Sequence, residues 1–217
     1  LRCHLLIGAP SSGKTSLAKI MAPLLKAEVL STDAIREELW GDEMIQGPWD
    51  EIENILHSRL RSFVAKKQSV IIDATHAKRP WRLALTQGLE FQQDIEWIGW
   101  WITTPKEVCL KWNQERERRI DDEIINQYSA ALEDKNFCPK REEGFATVIK
   151  FDPSEGKDNK ARLELEINRL TKSIASSRNV EKNKELHGYS RLIDLERLLF
   201  LIQLLIRYPG LSATDDK

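Results

Sequence analysis

The chain has 217 residues, enough for one sizeable core with an appendage. Its 33 Lys and Arg balance 34 Asp and Glu for a formal net charge of −1, so no global field favours polyanions, and any nucleic-acid contact must use a local patch. A hydrophobic content of 41% and a charged content of 31% fit a soluble globular protein. No apolar stretch is long enough to suggest a membrane span.

The first apolar run, Cys3 to Ile7, reads as a strand, and Gly8-Ala9-Pro10-Ser11-Ser12-Gly13-Lys14-Thr15 follows it. That is G-x-x-x-x-G-K-T between a strand and the helix-forming stretch Ser16 to Met21. Such a junction aims backbone N–H groups and the positive end of a helix dipole at one point. Gly8, Ser11, Ser12, Gly13 and Ser16 are therefore expected around bound phosphates. Lys14 reaches the β- and γ-phosphates, and Thr15 offers a hydroxyl to Mg²⁺. ATP and Mg²⁺ are the implied cofactors.

A second strand is expected at Glu28–Ser31, with Asp33 just after it and Arg36 one helical turn on. Position alone leaves two readings open. Asp33 is an N-cap with Arg36 on a solvated face, or Asp33 accepts a proton from an attacking hydroxyl while Arg36 clamps an acceptor phosphate. Ile52, Ile55, Leu56, Leu60, Phe63 and Val64 form one apolar helical face entered at Gly47-Pro48. A third strand, Ser69–Ile72, runs into Asp73, which is either a turn or cap residue or, as the usual shape of such a run suggests, a Walker-B acid that holds Mg²⁺ directly or through water. No second acid follows, which disfavours motor-type hydrolysis.

Thr75 and His76 continue into a site-lining loop, with His76 a polar wall rather than a catalyst. Lys78, Arg79, Pro80, Trp81 and Arg82 then form a loop-to-helix junction. They grip a nucleotide backbone and stack a base, or they are a solvated helix start with Trp81 in the core; Arg82 is expected to face the site. A fourth strand, Ile95–Ile102, precedes a charged helix, Lys111 to Arg119. It is either a face laced by Glu115–Arg119 pairing or a lid bringing Arg116, Arg118 and Arg119 over the transferring phosphoryl group. The fifth strand is expected at Ala146–Ile149, and Phe151–Lys160 reads as a linker.

Two helices are expected beyond it, Ala161–Lys184 and Ser190–Arg207. The second is apolar nearly all round and must be covered, by its own domain or as a homodimer or partner interface. The three cysteines, Cys3, Cys109 and Cys138, form neither a zinc pattern nor a disulfide framework, which suits the cytoplasm, and no signal peptide is expected. The alternation predicts an α/β fold: a five-stranded, mostly parallel sheet with helices on both faces, spanning 1–153, with a C-terminal helical extension over 154–217.

The motifs resemble the P-loop kinases grouped around phage polynucleotide kinase, with relatives of zeta toxins. The resemblance rests on G-x-P-x-S-G-K-T, Asp33-x-x-Arg36, Ile71-Ile72-Asp73-Ala74-Thr75 with Arg82, Asn113-x-x-Arg116-x-Arg118, and Pro139 to Phe145. It covers roughly residues 3 to 151. It implies that Asp33 activates the acceptor hydroxyl, that Arg36, Thr75 and Arg82 bind the acceptor, and that Arg116 with Arg118 or Arg119 contacts ATP. His76 and Ile120-Asp121 depart from the family pattern, so the acceptor is carried over less firmly than ATP. The leading expectation is an ATP-dependent kinase of the 5′-OH of RNA or DNA; the alternatives are a small-molecule kinase acting on a nucleoside, sugar or antibiotic, and a nucleotide-gated interaction module without acceptor turnover.

Overall fold

The computed structural model describes residues 1–116, 119–186 and 192–207. Five strands, β1 (Arg2–Ile7), β2 (Ala27–Ser31), β3 (Ser69–Asp73), β4 (Glu96–Ile102) and β5 (Phe145–Phe151), form one sheet. Their order is β2-β3-β1-β4-β5, and every pairing is parallel. Central β1 explains the apolar run: Cys3 to Ile7 are all buried, so both sheet faces are covered. In β4, Trp97 and Trp100 are buried. The Trp100 indole N–H donates to His4 Nδ1 at 3.1 Å, and burial pushes the His4 imidazole down to about 3, keeping it a neutral acceptor.

The helices are α1 (Lys14–Leu25), α2 (Thr32–Trp40), α3 (Trp49–Ala65), α4 (Arg79–Thr86), α5 (Lys106–Gln114), α6 (Asp122–Glu133), α7 (Asn159–Leu186) and α8 (Leu192–Arg207). Ile52, Leu56, Leu60 and Val64 give α3 its buried stripe, at the spacing the sequence predicts. The expected charged helix at 111–119 is corrected: α5 stops at Gln114. The cause lies in Asn113, whose amide donates to the Ile120 carbonyl and accepts from the Ile120 N–H, pulling the chain back on itself. Ser31 caps α2 by accepting from the Ala34 N–H. That removes the N-cap reading of Asp33, which lies inside the first turn of α2.

Two compact units are distinguished, Leu1–Leu170 and Thr171–Lys217. In the second, Leu198 to Ile202 and Ile206 of α8 are exposed. Among the described residues, no helix is long and apolar enough to cross a membrane.

Candidate active site

The carboxyl ends of β1, β2 and β3 open into a cleft of about 880 Å³. Its lining includes residues 10–16, Asp33, Arg36, Asp73, Thr75, His76, Arg116 and Arg119, so most of the expected site residues do converge. Arg118 lies outside the described residues.

The phosphate loop has the shape its glycines allow. A Cβ on Gly8 would stand 2.7 Å from Ser12 Oγ and 3.0 Å from Ile102 Cβ. Gly13 has φ +89°, in the left-handed region that side chains disfavour. No side chain caps α1, and its first turn carries no acid, so its N-terminal N–H groups stay open to an anion. Lys14 Nζ donates to the carbonyls of Gly8 (3.1 Å) and Ala9 (2.6 Å). Burial pushes its ammonium down to about 8, against the pull of Asp73 and Asp33. Ser12 Oγ is buried without a partner, an orphaned polar atom on the loop itself.

Asp73 ends β3, buried, and burial raises its carboxyl above the ordinary range while Lys14 and a hydrogen bond from Thr15 oppose the rise. A hydroxyl and a carboxylate side by side form a hard-oxygen pair suited to Mg²⁺. Among the described residues no cluster of three His, Cys, Asp or Glu could hold a metal unaided.

Asp33 stands within electrostatic range of both Lys14 and Asp73. Its carboxylate accepts from Arg36 Nη1 at 2.6 Å, and its side chain remains 54% exposed. Arg36 is largely covered, and its Nε has no partner. Arg116 Nη1 reaches Ser11 Oγ at 3.4 Å, linking the segment after α5 to the phosphate loop.

Arg82 is a correction. It is fully buried, and its guanidinium is committed to Glu143 (2.5 and 2.9 Å) and to the carbonyls of His76, Ala77 and Phe137. Those bonds occupy its planar fork, so it braces the loop after Asp73 and does not face the cleft. Arg79 also turns to Glu143, at 3.7 Å. His76 is buried with φ +43°, its Nδ1 is 3.2 Å from the Leu6 carbonyl, and burial pushes it down to about 4. It is neutral near pH 7 and serves as a wall, as expected.

Sequence reasoning missed three groups. Trp49 and Tyr128 line the cleft beside Trp81. Asn113, named in the sequence only as part of a motif, ties α5 to the segment after it, donating also to Asp122 at 3.0 Å and accepting from Ser11 at 3.3 Å. Trp112 sits against the loop: a Cβ on Gly13 would meet its ring and Pro153 at 3.3 Å each. Trp49 had a signal, an aromatic residue directly after Gly47-Pro48 at a helix start. Tyr128 had none, because only the packing of α6 brings it here.

Residues 3–134 match the AAA domain family. No curated protein matches this chain. Among solved structures, one described as a candidate kinase from Chloroflexus aurantiacus superposes with a TM-score of 0.59 at 16% identity, covering 77% of this chain and 97% of that one. Shikimate kinase from Acinetobacter baumannii gives 0.50 at 21% identity, over 79% of this chain and 93% of that one. A chain of the Pnkp1/Rnl/Hen1 RNA repair complex gives 0.49 at 20% identity over 60% of this chain, which spans only 43% of that one. At these identities the likeness is one of fold. With its motif loop, parallel sheet order and cleft in place, the chain belongs to the AAA domain family and carries a P-loop kinase-like, nucleotide-binding domain.

Proposed function

We propose that this chain is an ATP-dependent phosphotransferase that moves the γ-phosphate to a hydroxyl presented at the α2 side of the cleft. The observation that carries this reading is Asp33: free of capping duty, half-exposed, and within range of Lys14 and Asp73. A switch has no use for a carboxylate there; a kinase uses it to take the acceptor's proton. The open first-turn N–H groups of α1 and Lys14 bind the phosphates. Thr15 and Asp73 would hold Mg²⁺, which when bound neutralises phosphate oxygens. Arg116 and Arg119 offset charge that develops on the transferring group.

Of the four cations that would mark a polynucleotide groove, only Arg36 lines the cleft; Lys78, Arg79 and Arg82 do not. This favours an acceptor that brings one hydroxyl and at most one phosphate. The second reading, the 5′-OH of RNA or DNA, is supported by the Asp33–Arg36 arrangement, whose unpartnered Nε suits the phosphate next to a terminal hydroxyl. The test is γ-labelled ATP with a panel of nucleosides, sugars and 5′-OH oligonucleotides. Label on a small acceptor and not on oligonucleotides supports the first reading, and the reverse supports the second. ATP-dependent association with no transfer to any acceptor would overturn both in favour of an interaction module.

A further inference from the structure

Three aromatic rings from three elements meet in the cleft: Trp49 opening α3, Trp81 in the first turn of α4, and Tyr128 in α6. Trp49 and Trp81 stack with centroids 6.4 Å apart and planes 29° apart; Trp81 and Tyr128 lie 6.1 Å apart at 58°. None of the three is fully buried, although Tyr128 packs against the edge of the hydrophobic core. Trp49 is 40% exposed, and the other two are half-buried. Lys78 sits outside the cleft lining, with its ammonium 4.9 Å over the Trp81 ring and 5.9 Å from that of Tyr128, which fixes both rings from one side. The remaining aromatic surface, chiefly that of Trp49, faces open cleft.

The acids around these rings narrow the occupant. Glu43 and Glu53 also line the cleft, and Glu43 has no cationic partner among the described residues. The neighbour of Glu53 is His57 at 4.0 Å, whose imidazole burial holds below its usual value. Two carboxylates here repel an acidic or phosphate-rich acceptor and reward N–H donors. A sugar can lay its C–H groups on a ring face but offers the two carboxylates only hydroxyls, whereas a heteroaromatic ring bearing N–H groups serves both features. Resting on the kinase reading above, we propose that Trp49, Trp81 and Tyr128 with Glu43 and Glu53 form an acceptor subsite. It takes a planar heteroaromatic ring bearing N–H donors, so the acceptor class is nucleoside-like: a ring on a hydroxyl-bearing carrier.

The test uses the full chain saturated with a non-hydrolysable ATP analogue and Mg²⁺, so that the donor side is filled. Equilibrium dialysis then follows labelled adenosine, labelled cytidine and, as a ring-free control, labelled ribose. Both nucleosides should bind and ribose should not. Trp49→Leu should weaken nucleoside binding about tenfold, the scale of losing one base-stacking partner. Glu43→Gln combined with Glu53→Gln should also weaken it, and neither variant should change affinity for the ATP analogue. Trp49→Phe, which keeps a ring, should recover most of the loss, separating stacking from a folding defect. Ribose binding as well as adenosine, or nucleoside affinity unchanged in Trp49→Leu, would overturn the subsite.

Transfer assays with wild type and Trp49→Leu separate this from the kinase reading. Nucleoside binding without phosphoryl transfer keeps the subsite and sinks the kinase. Transfer to ribose, equal in the two proteins, keeps the kinase and sinks the subsite.

Discussion

The two ends of the cleft are built differently. The phosphate end comes from one unbroken stretch, residues 8–16, plus Asp73 on the neighbouring strand, and much of its chemistry is backbone N–H. The acceptor end comes from α2, α3, α4, α6 and the α2–α3 loop that carries Glu43, and its chemistry is entirely side chain. A backbone site demands glycines at fixed spacing and so leaves a contiguous trace. A side-chain site demands only that distant elements arrive together.

The largest effect falls at the phosphate end. Lys14→Met should cut phosphoryl transfer about 10³-fold, the upper range for removing one electrostatic donor. The same change should stabilise the ligand-free protein. Burial lowers the Lys14 ammonium from 10.5 to about 8. Between those values the unfolded chain holds more protons than the folded one, so stability rises with pH there; below pH 8 the full penalty persists. At pH 7, Lys14→Met should gain at most on the order of 3 kcal/mol, and the gain should shrink as pH climbs from 8 to 10.5. Urea titrations of both proteins across that range check it. A less stable variant at pH 7 would mean that the bonds to the Gly8 and Ala9 carbonyls outweigh desolvation.

The next effect concerns what holds the acceptor end in place. Arg82→Met should lower folding stability by about 3 kcal/mol, because it strands the fully buried Glu143. Replacing both residues by apolar ones should recover part of that loss. A melting point unmoved by Arg82→Met would argue that Arg82 is free after all. This residue also marks where the sequence stops being informative. Arg36 and Arg82 both lie in the early turns of helices that follow strands; Arg36 finds its partner in Asp33, three residues before it, and nothing near Arg82 in the sequence announces its own. That partner is Glu143, 61 residues further on, which folds against α4 and captures Arg82. The central strands were legible as unbroken apolar runs, because both sheet faces are covered, and the α3 face was legible as a helical period. Helix α6 was not foreseen, although Ile125, Ser129 and Leu132 repeat at helical spacing, because its polar residues mask a narrow buried stripe.

Asp33→Asn probes the junction between the two ends. Loss of the proton acceptor should cost about a hundredfold in kcat with ATP affinity nearly constant. The side chain is exposed, so stability should hardly change. Turnover equal to wild type would remove Asp33 as the base and leave Arg36 as the only group of the pair with a role.

The smallest effect tests whether the lid and the phosphate loop act as one unit. Asn113 is buried and bonded to Ile120 on both backbone groups, to Asp122, and to Ser11 of the loop. Asn113→Ala removes all of these at once. The segment carrying Arg116 and Arg119 then keeps its charges but loses the anchor that brings them back over Ser11. Binding of ATP should weaken about tenfold, as for one to two net hydrogen bonds, and transfer from bound ATP should slow by a similar factor. Ser11→Ala removes the loop side of the same contact and leaves the bonds to Ile120 and Asp122. It should therefore show a fraction of the loss if the coupling runs through Ser11. If Ser11→Ala is silent while Asn113→Ala still loses tenfold, the clasp works by shaping the lid alone. The two ends of the cleft would then meet only through the substrates they hold.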